Sequence, residues 1–220
     1  MKNIIHIFDC DGVLLDSNFF KISAIEETFF ELGFQDEFIK WASGEFKANF
    51  GMTRLKHFQN FQKNSGIFDK KIDDHILYQA MDIYTDKVLK LYKSSKIIEP
   101  TKKYIEALSY KENLYVVSAS NQDELRIILP KKYSMFNVKN IFGGPISKHQ
   151  NVKKISMGNE DRDIFMYGDS IKDAEAAISN NISFIGLTEF ATNKDSLIEF
   201  CKDNDLVHIK NLSHIKGVHV

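Results

Sequence analysis

Cysteine is scarce in this chain: Cys10 and Cys201 are the only two in 220 residues. Such a pair supplies neither a disulfide framework nor a thiolate metal site, which fits a reducing cytoplasm. No apolar run approaches the ~20 residues needed to cross a bilayer. Met1-Lys2-Asn3 leads straight into an apolar segment with no signal-peptide pattern before it. Charge of one sign is not in excess either. The 29 basic residues stand against 30 acidic ones, net −1, so neither nucleic acid nor an anionic membrane surface is expected as a partner. Repeats, low-complexity tracts and Pro/Gly-rich linkers are missing as well. What remains is an ordinary globular composition, 43% hydrophobic and 27% charged. The length suffices for one substantial core, or for a core carrying a small inserted domain. Eighteen phenylalanines are many for this length, and most are expected in the interior.

The texture of the chain changes along its length. From Asn18 to about Ser95 apolar residues recur at helical spacing, as in Phe19, Ile22, Ile25, Phe29 and Phe30, or Ile76, Met81, Ile83, Val88 and Leu91. Gly44, Gly51 and Gly66 mark the expected breaks, and no strand is expected there. After Ile97 short apolar runs alternate with amphipathic helices. Strands are predicted at Leu114–Val117, Val138–Phe142, Ile164–Tyr167, Ser183–Leu187 and Leu206–Ile209. Helices are predicted at Thr101–Ser109, Gln122–Leu129, Asn151–Ser156, Asp173–Asn180 and Asn193–Lys202. That alternation argues for a parallel sheet covered on both faces, and the first strand, Ile4–Phe8, must join it. The expected architecture is therefore an α/β core, residues 1–17 and 96–220, with an all-helical module, residues 18–95, inserted after the first strand.

Open parallel sheets bind ligands at the carboxyl ends of their strands, so those ends are the places to look for chemistry. The first strand ends in Asp9 and Asp11, followed by Gly12 where the chain can turn sharply. Paired acids there can hold a hard cation, attack an electrophile or shuttle a proton. The second strand runs into Ser118-Ala119-Ser120, the third into Gly143-Gly144-Pro145-Ile146-Ser147-Lys148, and the fourth into Gly168-Asp169-Ser170 with Asp173 a helical turn on. A hydroxyl, an ammonium and further carboxylates thus converge on the Asp9/Asp11 pair, a set suited to phosphate and magnesium.

In four ordered segments the chain resembles the haloacid dehalogenase superfamily, in its phosphatase/phosphomutase branch with a helical cap. The segments are DCDGVLLDS at 9–17, VVSAS at 116–120, SK at 147–148 and GDSIKDAEAA at 168–177. The resemblance implies a Rossmann-like parallel sheet and a site for Mg²⁺. Asp9 would be the nucleophile, and Asp9, Asp169 and the Asp11 backbone carbonyl would hold the metal. Asp11 would be the proton donor and acceptor. Ser118 and the Ala119 amide would hold phosphoryl oxygens, and Lys148 would neutralise them, although Lys153 and Lys154 lie close by. Asp173 would orient Lys148 or metal-bound water, besides favouring the start of its own helix. Dehalogenase relatives lack the second aspartate, so Asp11 argues for phosphoryl transfer. Cys10, between the two acids, points into the core by strand alternation, and His6 reads as a strand histidine.

Within the helical module, Gly51-Met52-Thr53-Arg54 resembles the segment with which sugar-phosphomutase relatives grip a distal anion. On that likeness Arg54 would bind a second phosphate or a carboxylate; otherwise it is a solvated arginine opening a helix. Trp41, Lys47 and His57 are further candidates for the entrance. Lys21 stands where β-phosphoglucomutase relatives carry a histidine, which favours hydrolysis over isomerisation. The DCDGVLLDSN form with its Phe-rich module also resembles members of the superfamily found among bacterial surface-polysaccharide genes. The expected substrate is therefore a small phosphorylated sugar, sugar acid or polyol, with phosphoglycolate as the alternative, and the expected assembly a monomer or homodimer. A catalytically silent binding protein of the same fold is the remaining possibility.

Overall fold

The computed structural model describes residues 4–108 and 113–215. Six parallel strands form the main sheet, in the order β5-β4-β1-β6-β7-β8. These are β1 (Ile5–Phe8), β4 (Leu114–Asn121), β5 (Ile141–Gly144), β6 (Ile164–Gly168), β7 (Ser183–Leu187) and β8 (Val207–Ile209). The central strand β1 registers Phe8 against Val116 of β4 and against Tyr167 of β6. Chain order runs outward from β1 in both directions, so the crevice of the fold lies at the carboxyl ends of β1, β4 and β6. Alternate residues of β1 enter different cores. Ile5 and Ile7 pack with Val152, Ala174 and Leu197, whereas Phe8 and Cys10 pack with Val116, Leu125 and Tyr167. Both faces of the sheet are thus buried, which is why its strands read as nearly unbroken apolar runs.

Between β2 (Leu15–Asp16) and β3 (Lys96–Ile97) lie four helices: α1 (Asn18–Glu31), α2 (Asp36–Ala48), α3 (Arg54–Asn64) and α4 (Asp74–Ser94). Strands β2 and β3 pair antiparallel, so the chain leaves and re-enters the sheet at one point. This small ribbon is too short to leave a period-2 signal, and the sequence pattern did not reveal it. The helical insert is built on aromatic contacts. Phe29 meets Phe34, Phe38 and Phe61 edge-on, with centroids 5.2, 4.8 and 5.5 Å apart. Trp41 belongs to this cluster, against Phe38 and Phe68. Not every predicted core phenylalanine is inside: Phe19 and Phe30 are exposed while Ile25 and Phe29 of the same helix are buried. Only one stripe of α1 faces its neighbours, and these two rings fall outside it.

The remaining helices are α5 (Glu99–Ala107), α6 (Gln122–Lys132), α7 (Lys148–Ser156), α8 (Ile171–Ile178) and α9 (Lys194–Asp203). Several bounds differ from those expected. Val138–Asn140 is a 3-10 turn, closed by Asn137 accepting from the Lys139 amide, and the strand begins only at Ile141. Helix α7 starts three residues early because Ser147 caps it, its hydroxyl accepting from the Gln150 amide. Ser118–Asn121 belong to strand β4 instead of following it. The predicted end of the first core helix, Ser109, lies outside the described residues.

Candidate active site

Strand β1 delivers Asp9 and Asp11 into the crevice, and both are buried. Gly12 lets the chain turn there with φ +74°. A Cβ on it would stand 2.1 Å from Asp169 Oδ2 and 2.6 Å from Asn18 Nδ2, so only glycine fits. The two aspartates have different surroundings. Asp9 faces Lys148, with Nζ to Oδ2 at 3.0 Å, and its Oδ1 is buried without a partner. Asp11 instead accepts from four donors: Ser17 Oγ at 2.5 Å, Ser120 Oγ at 2.9 Å, Tyr92 Oη at 3.0 Å and Lys21 Nζ. Lys21 and Tyr92 come from opposite ends of the helical insert, α1 and α4, so Asp11 ties both ends of the insert to the sheet. Both also reach Ser120 Oγ, at 2.6 and 2.8 Å.

Asp169 sits just past β6. Its Oδ2 accepts from Asn18 Nδ2 at 2.6 Å, while its Oδ1 is buried without a partner. Asp173, on the first turn of α8, has both oxygens occupied: Oδ1 by Lys148 Nζ at 2.6 Å and Oδ2 by Ser170 Oγ at 2.6 Å. Asp9, Asp169 and Asp173 each offer an oxygen within 4.8 Å of the others. Two orphaned carboxylate oxygens in such a cluster are the donor set of a hard cation, which takes one or two carboxylates and completes its shell with water or substrate oxygens. The acidic cluster therefore fits a divalent metal, with Asp9 and Asp169 as the groups open to it. Asp173 holds Lys148.

Electrostatics follow the same division. Burial, reinforced by Asp173, pushes the Asp9 carboxyl up to about 7 despite Lys148. Burial and the Asp9 charge likewise raise Asp169 well above the carboxylate range. A bound cation opposes both effects. Asp11 goes the other way. Burial would raise it, but the Lys21 ammonium and the hydroxyl donors hold it below its ordinary value. Burial also works against the charge of Lys148, and Asp173 and Asp9 outweigh it, raising that ammonium above the usual lysine range.

Ser118 and Ala119, near the end of β4, line the same cavity as Asp9, Asp11 and Lys148. Ser118 is buried, and its Oγ accepts from the Ser120 amide at 3.2 Å. The opposite wall belongs to the insert: Phe50, Met52, Arg54, His57 and Tyr84. Of the entrance candidates, His57 is therefore in the wall. Trp41 lies in the aromatic cluster, and Lys47 offers its carbonyl to Asn193 Nδ2 at 2.8 Å. Arg54 lines the cavity, but its guanidinium is committed. Nη1 and Nη2 grip Glu124 Oε1 and Oε2 of α6 at 2.7 and 2.8 Å, and Nη1 also donates to Thr85 Oγ1 at 2.6 Å. Lys21, Tyr92, Ser120, Asn18 and Glu124 are the site groups that the sequence pattern did not single out for their contacts.

A family model for haloacid dehalogenase-like hydrolases matches residues 6–181. Among curated proteins none matches the chain. Solved structures resemble it over nine tenths or more of their length. One, described as a predicted phosphatase from Clostridium acetobutylicum, is 18% identical, covers 100% of each chain and gives a TM-score of 0.72. A predicted phosphoglycolate phosphatase from Haemophilus somnus is 18% identical, covers 98% of this chain and 97% of its own, and gives 0.73. A phosphonoacetaldehyde hydrolase-like protein from Oleispira antarctica, 11% identical, covers 97% and 90% and gives 0.75. At these identities the likeness concerns the fold.

Proposed function

The chain belongs to the haloacid dehalogenase-like hydrolases, and we propose that it is a Mg²⁺-dependent cytoplasmic phosphatase of a small phosphorylated sugar, sugar acid or polyol. The observation that carries this reading is the setting of Asp9: buried, one oxygen on Lys148, the other without a partner, in a cavity shared with Ser118 and Ala119. An oxygen of Asp9 attacks phosphorus, the ester P–O bond breaks, and an aspartyl-phosphate forms on Asp9. Asp11, ionised against Lys21 in this closed form, takes up a proton as the substrate binds and gives that proton to the leaving alkoxide. Water then attacks the phosphorus of the aspartyl-phosphate, Asp11 takes the proton from that water, and Asp9 is regenerated with release of phosphate. Ser118, the Ala119 amide and Lys148 hold the transferring oxygens throughout. Asp9, Asp169 and the Asp11 carbonyl would hold Mg²⁺, which would supply the positive charge that lets an anionic nucleophile approach an anionic ester.

Residues 18–95 act as the cap over the core of residues 1–17 and 96–220. In this closed form the cavity has room for about 30 Å³ of solvent, a water or two and not a phosphate ester. Substrate entry therefore requires the insert to swing away, and its closure brings the Lys21, Tyr92 and Arg54 contacts together. Phosphate release is the test, screened over a panel of phosphorylated metabolites with Mg²⁺ and with a chelator. Wild type is expected to release phosphate only with the metal, and Asp9→Asn to be inactive on every ester. Full activity of Asp9→Asn would show that the nucleophile lies elsewhere.

A further inference from the structure

The cavity wall answers a question that the phosphatase reading leaves open: what charge the rest of the substrate carries. Each cationic side chain of the wall already faces a carboxylate. Lys148 lies between Asp9 and Asp173, Lys21 is on Asp11, and Arg54 is on Glu124. The last pair is bidentate, with both guanidinium Nη atoms on the two oxygens of one carboxylate. Tyr84 covers the guanidinium, 5.1 Å from its ring centroid, and Thr85 takes a further N–H. Glu124, which does not itself line the cavity, therefore occupies the guanidinium edge that a distal phosphate or carboxylate of a substrate would need. Three of the five guanidinium N–H groups are thus used, and Arg54 Nε is buried and without a partner. It is one neutral-strength donor on a guanidinium whose charge is already answered. His57 adds no cation, since burial and then Lys21 hold its imidazole down to about 4.

We propose that Glu124 is a positioning residue which, by holding Arg54, restricts the substrate to phosphate monoesters whose remaining part is uncharged and hydroxylated. The inference rests on the phosphatase reading and sharpens it: sugar and polyol monophosphates are accepted, while sugar-acid phosphates, bisphosphates and phosphoglycolate are refused. A second anion placed here would meet a guanidinium already neutralised from behind by Glu124, with no further cation in the wall to answer it. A hydroxyl or carbonyl oxygen, by contrast, satisfies the Nε–H that is now unpaired.

Glycerol 3-phosphate and 3-phosphoglycerate separate the alternatives, because they share a carbon skeleton and differ in a hydroxymethyl against a carboxylate. Their dissociation constants are measured by calorimetry with Mg²⁺ on Asp9→Asn protein, which does not turn them over, and on the same protein carrying Glu124→Gln. The first protein is expected to bind glycerol 3-phosphate at least ten-fold more tightly. Glu124→Gln is expected to move the ratio at least ten-fold toward 3-phosphoglycerate, a change of preference that general loosening of the fold does not produce. Should Glu124→Gln fail to fold, the preference of the Glu124 protein decides alone. Equal or tighter binding of 3-phosphoglycerate by that protein overturns the inference, as does an unchanged ratio in a folded Glu124→Gln variant. Hydrolysis of p-nitrophenyl phosphate by wild type reports on the phosphatase reading separately, so the two can fail independently. Absence of binding by either ester overturns the inference as well.

Discussion

Lys21→Met removes the ammonium that faces Asp11, and its consequences can be worked from the structure. The pair is nearly dry, with side-chain exposures of 11% for Lys21 and 5% for Asp11. Deleting one partner of a buried ion pair costs roughly 3–5 kcal/mol, because the other charge is left uncompensated. Asp11 keeps the Ser17, Ser120 and Tyr92 donors, so the lower end, about 3 kcal/mol, is expected at pH 7.5. For a chain of this size that is a fall in Tm of roughly 6–12 °C. The sign of the pH dependence is a stricter test. In wild type the Asp11 carboxyl is held below its ordinary value by Lys21, against burial. Its contribution to stability is therefore present above the unfolded carboxylate range, and is lost only as the pH falls through the depressed value. Without Lys21, burial dominates and the folded value rises above the unfolded one. Asp11 then takes up a proton on folding, and the variant gains stability relative to wild type as the pH falls toward 4. Chemical denaturation followed by fluorescence of Trp41, the one tryptophan, measures the deficit at pH 7.5 and pH 5. The deficit should shrink at the lower pH. A variant as stable as wild type at pH 7.5, or a deficit that grows on acidification, refutes the assignment of Lys21 as the counter-ion of Asp11.

Two further outcomes follow from close packing and burial. Gly12→Ala places a methyl 2.1 Å from Asp169 Oδ2 on a backbone with φ +74°. It should cost about 1–3 kcal/mol of stability and at least 100-fold in kcat/KM for p-nitrophenyl phosphate, and a variant with wild-type kinetics would contradict that geometry. His6 and His57 are both held down to about 4 by burial, His57 also by Lys21. Between pH 6.5 and 4 the unfolded chain therefore binds protons that the folded chain refuses, and stability falls with pH by roughly 3 kcal/mol for each ring. His57→Phe, set against Phe46 and Phe61, should remove one share of that loss. An unchanged slope of unfolding free energy against pH would place the His57 ring in water.

The sheet was legible because its physics is local. A parallel strand buried on both faces must be apolar at every position, so Ile5–Phe8 and Ile164–Tyr167 stand out whatever their neighbours do. The alternation that sends Cys10 away from the acids and into the core holds for the same reason, and Cys10 is fully buried there. Where several local signals compete, the bounds moved. Val138 and Lys139 have the apolar and basic pattern of a strand start, yet Asn137 caps them into a turn. Ser147 captures the Gln150 amide and starts α7 before its apolar stripe begins. In α1 the periodic apolar residues exceed the one stripe that packs, so Phe19 and Phe30 stay in solvent although the spacing is helical.

The site was legible as far as each group announces itself without a partner. Asp9, Asp11 and Asp169 do so because a carboxylate at the end of a buried strand has no structural need to be there. Lys21, Tyr92 and Glu124 do not, because each has an adequate local explanation. A lysine on an amphipathic helix is by default solvated, a tyrosine on the stripe of α4 is by default core, and a glutamate in the first turn of α6 is favoured by the helix dipole. Nothing within a few residues of Glu124 indicates that it meets Arg54, 70 positions away. Lys21 and Tyr92, 71 positions apart at the two ends of the insert, meet only because β2 and β3 bring those ends together beside Asp11. This division has a mechanistic consequence. The groups readable from sequence are those assigned to the proposed phosphoryl transfer, and they lie at the strand ends and on the first turns of the helices that follow. The groups that set the charge state of Asp11 and the charge of the cavity wall come from long-range pairings across the boundary with the insert. On the proposed reading the chemistry is written into strand ends and the selectivity into contacts between insert and core, which is why the motifs alone leave the substrate open.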